Sequence, residues 1–176
     1  MIDALIDEGA APATNQNNAL VNGHLAAAAH LLSRGATPTL GAALCLGRWN
    51  EAQTLNAVAT PEIRQFSLVL ACLNGQAAGA EWILARGASA NEPSADLYAH
   101  GTPLHHAVCS GSLETVKVLV VAGADPLRPD SAWDATALGW AEHYVESSEG
   151  KRRLRYAEIV AYLREVQGLS PQDGQS

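Results

Sequence analysis

The sequence predicts an all-α helical repeat solenoid, and three regularities in its 176 residues carry that prediction. Gly23 and Gly35, Gly75 and Gly87, and Gly111 and Gly123 form pairs twelve residues apart, the fixed spacing of a repeated unit. Eight residues after each first glycine stands an aliphatic pair, Leu31-Leu32, Ile83-Leu84 and Leu119-Val120, and alanine follows each second glycine at Ala36, Ala88 and Ala124. Small or β-branched residues recur five places after the first glycine, at Ala28, Ala52, Ala80 and Val116, where bulk would hold two helices apart.

From the N-terminus, Ile2, Leu5 and Ile6 before Gly9-Ala10 repeat the closing half of a unit and predict a helix over Ile2–Glu8. Further second-layer helices are expected over Leu25–Ser33, Glu51–Val58, Ala77–Ala85, Leu113–Ala122 and Arg155–Val166. First-layer helices are expected over Asn15–Asn22, Leu40–Leu46, Pro61–Asn74, Pro103–Ser110 and Ala137–Glu146. Thr102-Pro103 suits a helix start, because a threonine hydroxyl accepts from the first turn and proline needs no amide partner there. Thr37-Pro38 and Thr60-Pro61 repeat the device. The Pro61 helix gains more than a turn before Gly75 and is expected to protrude as a cover or a ledge, while Trp49 falls in the turn after Gly47. Thr136 lies 34 residues past Thr102, but Ile159 lies 43 past Val116, so extra residues separate the last two helices. They carry Lys151-Arg152-Arg153 and predict a solvated loop.

The run Gly101-Thr102-Pro103-Leu104-His105-His106-Ala107, followed by Gly111-Ser112-Leu113-Glu114-Thr115-Val116 and Gly123-Ala124-Asp125, resembles the ankyrin repeat, whose signature is Thr-Pro-Leu-His-x-Ala. The resemblance extends from Ile2 to about Gly168, close to the family pattern only over Leu97–Pro126 and degenerate elsewhere, with a bacterial cast to the alanine-rich units. It implies one domain over 1–168, with a half unit at 1–11 and units near 12–36, 37–60, 61–91, 92–126 and 127–168. Residues 169–176 are expected to be a disordered tail. Ankyrin units run to about 33 residues with a β-turn finger, whereas the closing positions Gly9, Gly35, Ala59, Gly87 and Gly123 are 26, 24, 28 and 36 apart. The N-terminal units should therefore lack fingers or carry short ones, and only Asn91–Gly101 and Asp125–Ala135 have room for them. By resemblance, His105 braces neighbouring backbone.

Net charge is −7, without the basic footprint of a general nucleic-acid binder, so nucleic acid is disfavoured. No apolar run is long enough for a membrane span and the start lacks the pattern of a secretory signal, which predicts a cytoplasmic chain. Cys45, Cys72 and Cys109 are odd in number and sit in separate units, so free thiols are expected. His105, His106 and Cys109 share one helix, yet no orienting acid or oxyanion turn accompanies them, so no catalytic residue is assigned. The histidines are scattered and the glycines form no phosphate loop; no metal and no cofactor are expected.

The family resemblance implies binding through finger tips and the exposed ends of first helices, along the concave face. Carried over by register, the partner-binding candidates are Tyr98, His100, Trp133 and Asp134 on the fingers, and Leu73, Asn74, Cys109, Ser110, His143 and Tyr144 on helix ends. Asp130 belongs to the same finger stretch, whereas Trp82 and Trp140 are assigned to core filling. The expected function is a non-catalytic protein-protein interaction module, scaffold-like, with a basic partner surface favoured. The alternatives are a small-ligand or nucleotide sensor using the same groove, or one section of a longer array. Ile2, Leu5 and Ile6 fit either a fragment boundary or a minimal cap, and the chain is expected as a monomer or a weak homodimer through that half unit.

Overall fold

The computed structural model describes residues 15–169, and among these ten helices form in pairs. They are α1 (Asn15–Val21), α2 (Leu25–Ser33), α3 (Leu40–Cys45), α4 (Trp49–Ala57), α5 (Pro61–Leu73), α6 (Ala77–Leu84), α7 (Pro103–Ser110), α8 (Leu113–Val121), α9 (Ala137–Glu146) and α10 (Gly150–Val166). The odd-numbered helices stack in order, α1 on α3, α3 on α5, α5 on α7 and α7 on α9; behind them α6 packs on α8 and α8 on α10. Among the described residues no strand forms, and only one isolated bridge pairs Ser94 with Leu97. The expected helix over Ile2–Glu8 and the tail from residue 170 lie outside the described residues.

Local chemistry explains where the helices start and stop. Thr39, Thr60 and Thr136 accept the amide protons of Ala42, Ile63 and Gly139 at 3.2–3.3 Å, caps worth about 1 kcal/mol each. Thr39, rather than the expected Thr37-Pro38 pair, caps α3, because the chain stays extended until Leu40. Gly111 closes α7 with φ 71°, a left-handed conformation that costs glycine little and reverses the chain into α8 within two residues.

Two starts differ from expectation. Trp49 opens α4 instead of lying in a turn, and the residue remains 42% exposed. Lys151, Arg152 and Arg153 lie in the first turn of α10, not in a loop. Gly150, at φ 54°, turns the chain after Glu149, and the Lys-Arg-Arg-Leu run that follows favours helix, so the insertion lengthens a helix. The register argument located the buried Ile159 and Leu163 correctly but could not say how far back the helix begins.

The core is one continuous seam of small and aliphatic side chains. Leu44, Leu68, Leu70, Ile83, Leu104, Leu119 and Ile159 are fully buried, each contributing about 1.5–3 kcal/mol. Ala28, Ala52, Ala80 and Val116, the positions five after the first glycines, are all fully buried, as their spacing required. Side chains also join successive units through backbone. The Gln16 amide donates to the Thr37 carbonyl, Gln65 exchanges two hydrogen bonds with Ser89 (2.9 and 3.0 Å), and Asn91 does the same with Gly123 and Asp125 (2.9 and 2.7 Å).

Gly79 marks the closest approach of α6 to α3: a β-carbon there would meet the Leu44 carbonyl oxygen at 3.0 Å, and backbone cannot rotate aside. Gly79→Val should therefore lower the unfolding free energy by roughly 2 kcal/mol despite the helix propensity gained, as overpacking does. Urea denaturation followed by circular dichroism reads this directly, and an unchanged midpoint would contradict the packing described.

Candidate functional site

Among the described residues the two longest connections join α6 to α7 and α8 to α9, and their stretches 91–101 and 125–135 form two fingers that lie side by side at the start of α7 and α9. The first turns back at Tyr98, a non-glycine at φ 48°, with the Gly101 amide donating to the Tyr98 carbonyl at 3.1 Å. The second docks on it through the Ser131 amide, which donates to the His100 carbonyl at 2.9 Å.

Asp130 organises the second finger and is only 3% exposed. Its Oδ1 accepts the amides of Ala132 and Trp133, both at 2.7 Å, and its Oδ2 accepts the Trp140 indole N–H at 2.9 Å and the Ala135 amide at 3.3 Å. Burial alone would raise its pKa, but the donors of Trp133, Trp140, Ala132 and Ala135 together outweigh burial and hold it below the usual carboxylate range. The loop so closed places Asp134 at φ 54° and leaves Trp133 68% exposed.

Beneath the fingers lies a cluster of rings. His105 accepts the Thr102 amide at Nδ1 (3.2 Å) and donates from Nε2 to the Ala135 carbonyl (3.0 Å), bracing the second finger from α7. Burial lowers its pKa first, against the opposing pull of the Ala135 carbonyl and Asp130, so the ring is neutral at pH 7. His106 is 2% exposed, its Nε2 has no hydrogen-bond partner, and burial together with the neighbouring His100 and His105 pushes its pKa down to about 4. His100 sits edge-on to Trp133, with ring centres 5.2 Å apart, and 6.1 Å from Tyr98. Trp133 and Trp140 stand at 63° to each other with centres 5.7 Å apart.

These two indoles, with His143, Tyr144, Ala135 and Gly139, line an open groove of about 410 Å³. Tyr144 is fixed from behind: it stacks on Tyr156 at 4.8 Å, and its hydroxyl donates to Cys109 Sγ at 3.3 Å. The Tyr156 hydroxyl in turn donates to the Cys109 carbonyl at 2.9 Å.

The structure therefore separates the sequence candidates. Tyr98, His100, Trp133, Asp134, His143 and Tyr144 gather around the fingers and the groove. Cys109 and Ser110 sit behind it: Ser110 donates to the Ala107 carbonyl at 2.7 Å, and Cys109 holds the two tyrosines. Leu73 and Asn74 belong to α5 and its turn, and Asn74 bridges to the carbonyls of Leu20 and Leu70 at 2.9 and 2.8 Å. Trp140, assigned to core filling, is half-buried and forms a wall of the groove. Its spacing from Tyr144, four residues along one helix, is the signal that places both on one face. Trp82 packs partly buried under the Arg86 guanidinium, 3.5 Å from its ring centre. Asp130 ties its own loop rather than facing outward.

Among the described residues the three cysteines are unbonded; burial raises the Cys45 thiol to about 12 and pushes Cys72 up as well. No group of His, Cys, Asp or Glu among the described residues is placed to hold a metal ion, and no helix there is long and apolar enough to cross a membrane. Compared with known proteins, the chain matches a family model described as ankyrin repeats in three copies, over residues 1–130 and 68–168. No curated protein matches it.

Asp130→Ala leaves four N–H donors without their acceptor, and should cost roughly 3 kcal/mol and shift the Trp140 indole resonance in an NMR spectrum. His106 supplies an acid dependence. Its folded pKa lies below the ordinary 6.5, so between pH 6.5 and about 4 the unfolded chain binds a proton that the folded chain refuses. Stability should fall across that window by on the order of 3 kcal/mol. A series of melting curves on the parent and on His106→Leu should show the variant losing part of this slope.

Proposed function

The chain belongs to the ankyrin repeat family, and on that premise we propose that it is a non-catalytic module binding a partner protein through its concave face and C-terminal fingers. One observation carries the reading: Tyr98 and Trp133 are 46% and 68% exposed at the tips of two backbone-braced loops, beside an aromatic groove. Large rigid aromatics flanking a groove supply contact area with few rotamers to freeze, and such residues dominate binding energies. Both loops carry a non-glycine residue in the left-handed region, which costs about 1–3 kcal/mol and is held here by the Asp130 and Gly101 hydrogen bonds. Strain kept at an exposed loop points to use of that loop.

Chemistry at the same place has little support. Both nitrogens of His105 are engaged with backbone, and the Cys109 sulfur receives the Tyr144 hydroxyl. The groove itself favours a second reading, a planar small molecule lying between Trp133, Trp140 and Tyr144. Melting shifts across a panel of ring compounds address that reading, and uniform silence would remove it.

A quantitative pull-down from source-cell lysate, comparing the parent with a Tyr98→Ala, Trp133→Ala variant of equal helicity and melting temperature, tests the main reading. A protein retained by the parent and weakened tenfold or more with the variant is expected, since two such anchors are worth at least about 1.4 kcal/mol together. Equal retention by both would move the contact away from the fingers.

A further inference from the structure

We propose that the corner formed by Trp133, Trp140, Tyr144 and His143 is a pocket for an arginine side chain of the partner protein. The inference rests on the partner-protein reading above and specifies its chemistry. The pocket is lined by four aromatic rings, and among the described residues no carboxylate, ammonium or guanidinium lines it. Aromatic faces are the negative side of the ring quadrupole and attract cations placed over them. Behind the Trp140 wall, the Asp130 carboxylate accepts the indole N–H at 2.9 Å, adding negative charge in the plane of that ring. The whole chain carries a net charge of −7. An anionic occupant would meet unfavourable potential from both the rings and Asp130, and a cation would meet favourable potential from both.

The geometry is set before any partner arrives. Asp130 holds Trp140 by its nitrogen and Trp133 by its amide at 2.7 Å, while Tyr144 is held between Tyr156 and Cys109. The two indoles meet edge to face at 63° with centres 5.7 Å apart, and Trp133 stays 68% exposed. A guanidinium is planar, weakly hydrated and stacks flat on an aromatic face, whereas an ammonium keeps its water more tightly. The chain makes this contact internally: Arg86 lies over Trp82 at 3.5 Å and Arg152 lies 5.8 Å from the Tyr156 ring centre. Neither of these pairs covers Trp133 or Trp140.

The test is a titration of the full chain, labelled at its four tryptophans, with the blocked tripeptide N-acetyl-Gly-Arg-Gly-amide, read through the indole N–H resonances. Trp133 and Trp140 should shift saturably while Trp49 and Trp82 stay in place. Trp133→Ala should weaken binding roughly fivefold, with Trp133→Phe retaining most of it. The same tripeptide with glutamine, glutamate or lysine in place of arginine provides the competing arms. Equal shifts with glutamine or glutamate, or none with arginine, would overturn the proposal, and equal shifts with lysine would replace arginine by cations in general. Indole shifts that grow with protein concentration before any peptide is added would make the occupant a second copy of the chain and overturn it likewise. The peptides carry no partner surface, so their failure leaves the pull-down result untouched. A pull-down that retains nothing while the arginine peptide still binds would sink the partner-protein reading and leave a cation pocket.

Discussion

The C-terminal end of this protein depends on one buried carboxylate. Asp130 gathers three backbone amides and one indole N–H, and each bond has a separate structural consequence. The amides close the finger and turn Trp133 outward; the indole bond draws α9 against that finger and sets the angle between the two tryptophans. Four charge-assisted bonds to one buried group outweigh the cost of burying its charge, which is why the carboxyl stays ionised at 3% exposure. The groove, the exposed aromatic tip and the bracing of finger by helix through His105 all meet at this point.

The N-terminal units are built on a different economy of space. Their cores use alanine and leucine at close spacing, as at Ala42, Ala43, Leu44 and Ala71, so helices approach until Gly79 touches the Leu44 backbone. With connections too short for fingers, neighbouring units are joined by single side chains that reach the next loop. Gln16 and Gln65 do for the early units what His105 does for the fingered one: each satisfies loop backbone that would otherwise be left without a partner. The stack is thereby continuous, while large, outward-facing aromatic residues concentrate at the end where loops are long enough to carry them.

Rigidity links this architecture to binding. Walls that are already hydrogen-bonded or stacked lose little freedom on docking, so contact energy is not offset by ordering. The exposed part of the apparatus is small, chiefly Trp133 and Tyr98, and behind it Asp130, His105 and Tyr144 are engaged internally. His106 adds a sensitivity to acid, because its neutral ring is buried under the same fingers.

Among the described residues, the glycine spacing, the aliphatic pairs and the Thr60-Pro61 and Thr102-Pro103 starts were enough to determine the order and type of the helices and their buried faces, because each is a local property with a period or a cap behind it. The two fingers and their exposed aromatics were legible for the same reason, from loop length and polarity. Two things were decided only by tertiary structure. Trp140 became a groove wall because Asp130, ten residues earlier, captured its nitrogen, a pairing that no periodicity encodes. His106 became buried because the first finger folded over it, with the Tyr98 ring 6.0 Å from its own; the start of α10 at Gly150 was instead local, set by that residue's left-handed turn and the helix-favouring run after it. Local pattern sets which face of an element is apolar, whereas which polar group finds which partner depends on distances that exist only once the repeats have stacked.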